Sequence, residues 1–212
     1  MGLKSEIRVR KITHRMAKDI IIKNHYSHRM PISTILNLGI FYQGRLVGCI
    51  IYNQGNSTAY HNLIRMATKN KNLELIRLWT EDNLPKGLLS RAIAVSISLI
   101  KKHNPLLEFI VSFADEAYAG HMGTIYQASN FIYVGSHKGI EKDIYINGKK
   151  YHTRGIGATF GTSKIDELKK RFKVRIVERK NLKHKYIYPL KKEIREEVNK
   201  LSKEYPINAT VV

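Results

Sequence analysis

Four stretches of this 212-residue sequence carry side chains able to do chemistry. His25-Tyr26-Ser27-His28 is the densest. Two imidazoles three residues apart share a face if the segment is helical, which suits either an acid/base pair or two ligands of a metal. No third ligand is identifiable by spacing, and a histidine near a helix C-terminus is also simply favourable to the helix dipole. Ser112-Phe113-Ala114-Asp115-Glu116 ends an apolar run in two acids. In an open α/β sheet the carboxyl ends of strands line the ligand crevice, so Asp115 is placed either to act as a general base or merely to cap a loop. Gly120-His121-Met122-Gly123-Thr124-Ile125-Tyr126-Gln127 sets glycines and donor side chains at a helix start, where backbone approaches closely and free amides suit phosphate. Arg77 lies on an apolar segment ahead of Pro85, and Lys86, Ser90 and Arg91 open the next helical pattern as a candidate phosphate cradle.

Charge narrows the partner. There are 37 Lys+Arg against 17 Asp+Glu, a formal net charge of +20, and about 11 of the excess charges fall after Gly135. Such a balance costs self-repulsion in the compact state, so a polyanionic partner explains it better than solubility does. Nucleic acid is favoured over an anionic membrane surface. Lys149, Lys150, His152, Arg154, Lys169 and Lys170 are the candidate contacts in this basic third. Tyr145, Tyr151, Tyr186 and Tyr188 are interleaved with cations as stacking candidates. Cys49 is the only cysteine, which excludes a disulfide framework and a thiolate metal cluster. No signal peptide or membrane-span pattern occurs, so a cytoplasmic protein is expected.

The elements that must position these residues follow from apolar periodicity. Ser5–Ile12 alternates as a strand; Thr13 caps a helix running toward His25; Asn37–Tyr42 and Leu46–Tyr52 flank a hairpin turn. Leu73–Thr80 reads as a strand, followed by a helix with the face Leu88, Ala92, Val95 and Leu99. Leu107–Ala114 is a buried strand, 124–130 a short helix and Phe131–Val134 a strand. The early hairpin excludes a purely parallel sheet, so the fold class is α/β with a mixed central sheet and helices on both faces. A single domain is expected, with a core over about 5–135 and a basic C-terminal extension over about 136–212. That extension holds an Asn-Gly hairpin at Ile144–Tyr151, a Ser163 capping box, a strand pair from Val174–Val177 and Tyr186–Tyr188, and a last helix carrying Ile194, Val198 and Leu201.

This element order resembles acetyltransferase folds of the GNAT type. More specifically, His25-Tyr26-Ser27, Leu75-Ile76-Arg77-Leu78, Ser112–Asp115 and above all Gly120–Phe131 resemble the Mom family of phage-encoded DNA modification proteins, with Gly148–Arg154 similar as well. The resemblance implies a DNA-base-modifying transferase that adds a carbamoylmethyl-type group to the exocyclic amine of adenine and so protects phage DNA from restriction. It implies Asp115, Tyr126, His25 and Tyr26 at the chemistry. It implies Arg77 and Ser90 around acetyl-CoA or a related donor, to which Lys86 and Arg91 at the helix start would add phosphate contacts. It also implies double-stranded or locally unpaired DNA as the partner, and an iron or other metal requirement with His25 and His28 as candidates. The glycine-rich loop of acetyl-CoA binders is reduced here to Asn83-Leu84-Pro85-Lys86-Gly87, with one glycine. Two other readings stay open: an N-acetyltransferase acting on a protein or small amine, and a non-catalytic DNA- or RNA-binding regulator.

Overall fold

A computed structural model describes residues 6–31, 33–55, 60, 62–151 and 153–207, apart from the side chains at 118, 153 and 154. Its strands are β1 Ile7–Lys11, β2 Leu36–Tyr42, β3 Arg45–Gln54, β4 Asn72–Thr80, β5 Phe109–Asp115, β6 Ile132–Ile146, β7 Lys149–Tyr151 and β8 Val174–Pro189. Its helices are α1 His14–Asn24, α2 Leu88–His103, α3 Glu116–Ala119, α4 Thr124–Gln127, α5 Thr153–Phe160, α6 Ile165–Arg171 and α7 Lys192–Lys200. The strands form one sheet in the order β1-β2-β3-β4-β5-β8-β6-β7. Every neighbouring pair is antiparallel except β4 and β5. The expected mixed sheet with helices on both faces is what forms.

Strand alternation divides the core. Ile50, Tyr52, Leu73, Leu75, Ile110 and Ala114 face α2, which buries Leu88, Ala92, Ile93, Ile97 and Ile100 against them. Each such apolar side chain contributes about 1.5–3 kcal/mol on burial. The buried stripe is turned slightly from the expected one: Val95 and Leu99 pack only at its margin. On the opposite face Ala17 and Ile21 of α1 cover Cys49 and Ile51, while Ile194 and Val198 of α7 cover Phe109, Val111 and Ile187. Thr13 caps α1, its side chain accepting from the Met16 amide at 3.2 Å.

The basic third is woven into the sheet. β8 pairs with β5 from Phe109↔Pro189 to Asp115↔Lys183, and on its other edge with β6 from Ile132↔Ile187 to Ile146↔Val174. The expected pairing of Val174–Val177 with Tyr186–Tyr188 is therefore wrong: both segments belong to one 16-residue strand. Its outer half forms a ribbon with β6, edged by β7 at the far end and capped by a small cluster of Ile144, Ile146, Ile156 and Leu168. The expected Ser163 cap is shifted too; Lys164 is the N-cap of α6 and Thr162 Oγ1 accepts from the Lys164 amide at 3.2 Å. None of the described helices is long and apolar enough to cross a membrane.

Candidate active site

The site begins with a fault in the sheet. β4 and β5 run parallel and pair over only four residues, Asn72↔Phe109 to Leu75↔Ser112. Beyond Leu75 the strands part, because β4 carries a bulge: Ile51 faces Arg77 while Tyr52 faces Leu75, leaving Ile76 as the extra residue. A bulge bends its strand and re-aims the side chains beside it. Arg77 is turned into the opening, where its Nη1 donates to Ile76 O at 2.7 Å and its Nε to Arg29 O at 3.3 Å. Burial lowers its pKa, with Tyr26, Glu74 and Tyr126 acting the other way; the guanidinium keeps its positive charge in the cleft.

Two cavities meet in this opening and share Tyr26, Ile76, Arg77 and Phe113. The smaller, about 320 Å³, runs between the outer half of β4 and the start of α4 and reaches Thr80 and Leu89. The larger, about 810 Å³, opens toward the β6–β8 ribbon and takes in Asp115.

Tyr126 closes the floor. It is 6% exposed, packed against Phe131 and Tyr186, and its hydroxyl hydrogen-bonds Ser112. Burial pushes its pKa up to about 12, so at neutral pH it donates a hydrogen bond and keeps its proton. Gly123, with φ at +89°, lets the turn before α4 lie close over Tyr126, Ala114 and Tyr186. Tyr186 in turn donates to Met122 O at 2.5 Å and locks that turn onto β8.

His25 is 4% exposed, and burial, followed by the charge of Arg77, lowers its pKa to about 4. Its Nδ1 accepts from the Ser27 amide at 3.1 Å, so the neutral ring carries its proton on Nε2. The Tyr26 ring lies 4.2 Å from it and is 43% exposed at the cavity mouth, edge-on to His121 at 6.4 Å. His121 is a site residue that the motif contained but residue type alone did not single out. Partial burial lowers its pKa despite the attraction of Asp115. Asp115, at the end of β5, is 3.8 Å from Lys183 Nζ.

Several sequence expectations are corrected here. His25 and His28 do not share a helix face: α1 ends at Asn24, and His28 sits beyond it in a left-handed conformation with its Nδ1 on Ile22 O. Among the described residues no group of three or more His, Cys, Asp or Glu is arranged to hold a metal ion. Ser90 and Arg91 line a separate groove with Ala128 and Asn130, and the Ser90 hydroxyl donates to Gly87 O. Lys86 is exposed ahead of the left-handed Gly87, where α2 begins. Lys150 is engaged by Asp143 at 2.5 Å, whereas Lys149, Lys169 and Lys170 are exposed. His152 and the Arg154 side chain lie outside the described residues. Of the tyrosines expected to stack on bases, Tyr186 is core, and Tyr145 already carries the Arg175 guanidinium at 4.5 Å.

The model of the Mom protein family matches residues 6–207. This chain belongs to the Mom protein family. A Mom relative, the methylcarbamoylase mom of Escherichia phage Mu, is 34% identical over 204 residues, which are 95% of this chain and 83% of that protein. Among solved structures, Arabidopsis thaliana NAA60 in complex with a bisubstrate analogue aligns with a TM-score of 0.54 at 12% identity, over 86% of this chain and 97% of that one. The Salmonella typhimurium acetyl transferase that modifies the N-terminal serine of ribosomal protein L7/L12 aligns at 0.53 and 10% identity, over 90% and 98%. At such identities these two show the fold, which is that of GNAT acetyltransferases.

Proposed function

We propose that this protein is a DNA-modifying transferase that derivatises the exocyclic amine of adenine with a carbamoylmethyl-type group. The observation that carries the reading is the junction of two cavities at Arg77 and Tyr26. One cavity is narrow and suited to a donor arm; the other is wide, bounded by Asp115 and open toward the basic third of the chain. Membership of the Mom family and the name of its phage Mu relative, methylcarbamoylase, support the same chemistry.

The residues fit a phosphate-bearing donor such as acetyl-CoA or a relative. Of the first-turn amides of α2, that of Leu88 is taken by Pro85 O, while those of Leu89 and Ser90 have no intrahelical partner and stand close to Lys86. Gly87 leaves open space where a Cβ would stand. The narrow cavity leads from Leu89 to Tyr126. A donor bound there would supply an electrophilic carbon that already bears the carbamoyl group, which acetyl-CoA itself does not; as the amine nitrogen bonds to that carbon, the carbon's bond to the donor breaks and the electron pair leaves with the donor fragment. An amine conjugated to a purine ring is a weak nucleophile, so the protein's main task is positioning, on a base drawn out of the duplex. Asp115 receives the amine proton as the new bond forms. As negative charge develops on the donor side, the one Tyr126 O–H turns from Ser112 to donate to it, and Arg77 offsets that charge. Neutral His25, with its proton on Nε2, orients the acceptor alongside Tyr26.

The test is mass spectrometry of nucleosides from plasmid DNA of bacteria expressing the protein, beside an Asp115→Ala control. A mass-shifted deoxyadenosine made only by the intact protein is expected. The variant should keep DNA affinity within about 2-fold while losing modification by about 10²–10⁴-fold, the usual worth of a general base. Equal DNA phenotypes with and without Asp115, and no shifted nucleoside, would leave a non-catalytic binder instead.

A further inference from the structure

The protein carries a net charge of +20, yet the larger cavity is close to neutral. Among its described lining residues five arginines and lysines face four carboxylates. The pairing is direct. Glu141, on the ribbon face turned to the cavity, takes Arg179 on one oxygen at 3.0 Å and both Asn181, at 2.9 Å, and Lys183 on the other. Asp143, two residues along, takes Lys150. Burial alone would raise the Glu141 pKa, but Lys183, Asn181 and Arg179 hold it below its usual value, so the carboxylate is charged at neutral pH. Asn181 stands behind this wall: its Nδ2 donates to Glu141, and its Oδ1 is buried with no partner among the described residues.

A seat for a phosphodiester would not set carboxylates against its own cations, since each would repel the incoming oxygen at close range and weaken the cation's pull. A neutral group that both donates and accepts hydrogen bonds is what a balanced wall of carboxylates, amide and ammonium groups can satisfy on all sides. A nucleobase is such a group. Tyr26 and Phe113, in the same cavity, offer it aromatic faces.

We propose that the larger cavity seats the unstacked nucleobase itself. Glu141, Arg179 and Lys183 form the wall that orients it, with Asn181 holding Glu141 from behind, and the DNA phosphates stay outside on the exposed lysines. This rests on the DNA-modifying reading and adds the role of the ribbon to it. Lys150 is then a wall residue and not a phosphate contact.

The experiment compares the intact protein with Glu141→Gln and Lys150→Met in two assays. The first is the salt dependence of binding to a short DNA duplex; the second is the rate of nucleoside modification. A lost phosphate contact lowers the slope of log K against log salt by about 0.9. The slope is expected to stay at its wild-type value in both variants, while Glu141→Gln lowers modification by about 10-fold or more. A slope reduced by about 0.9 in Lys150→Met would make the cavity a phosphate site and overturn the proposal. So would wild-type modification by Glu141→Gln. If Glu141→Gln melts early, Asp143→Asn, which weakens only the Lys150 pair, carries the same comparison. Absence of modified nucleoside with the wild-type protein would instead refute the transferase reading, so the two failures are distinguishable.

Discussion

Replacing Tyr126 by Phe removes one oxygen from the floor of the cleft and leaves the ring that packs on Phe131 and Tyr186. The stability cost is that of one buried hydrogen bond, to Ser112. Ser112 keeps its own bond to Leu75 O at 2.9 Å, so no donor is left stranded and the loss is about 1 kcal/mol. For a chain of this size that lowers Tm by about 2–4 °C. If the hydroxyl stabilises charge that develops only in the transition state, its removal costs about 10²–10³ in rate, or about 2.7–4 kcal/mol, several times the stability change. The assay is a time course of modified nucleoside at fixed protein and DNA, alongside a thermal melt and a DNA-binding titration. Since the hydroxyl titrates only near pH 12, the wild-type rate should show no inflection from Tyr126 between pH 7 and pH 10. A rate within about 3-fold of wild type, with the small Tm shift observed, would refute a catalytic donor and reduce Tyr126 to packing.

Two further outcomes follow from the same cleft. His25 is held neutral with a pKa of about 4 against an ordinary 6.5, so the unfolded chain binds more protons than the folded one between those values. Its contribution is therefore intact above pH 6.5 and lost as pH falls toward 4, and melts at pH 7.5 and 5 should differ more for wild type than for His25→Gln. Gly123→Ala would place a Cβ 2.7 Å from Tyr186 Cε2 and 2.9 Å from both Ala114 Cβ and Tyr126 Cδ2, at a φ of +89°. Overpacking and backbone strain there should cost about 2–4 kcal/mol, read as a Tm loss, and displace Tyr126 enough to abolish modification.

The first two-thirds of the fold were legible because each strand there buries at least one face. The early hairpin, α2 and β5 all carry the period that burial imposes, and Asp115 could be placed because it ends a continuous apolar run. The ribbon could not be read that way. Between Gly135 and Asp143 both faces of β6 meet solvent or ion pairs, so Lys138, Ile140, Glu141 and Lys142 show no apolar alternation to mark a strand. The same holds for Glu178–Lys183 of β8, which is why its two apolar ends looked like separate strands. His121 was hidden for a different reason: its neighbours Tyr26 and Asp115 come from loci about 95 and 6 residues away, and only the divergence of β4 and β5 brings the three together.

That divergence ties the chemistry to the basic third. Once β4 leaves β5 at Ile76, the free edge of β5 has only β8 on its other side, and β8 brings Lys183 to Asp115 and His184 to Glu116 at 2.6 Å. A strand rich in Lys and Arg thus forms one wall of the cleft that the splayed strands open, and the same strand continues outward as half of the ribbon. Charge placed on the ribbon reaches Asp115, the proposed base, through a single rigid element. Substitutions along β8 should therefore alter modification even where no DNA phosphate is touched, whereas equal charge changes on α6, which is exposed and packs on the ribbon's outer end, should alter DNA affinity alone.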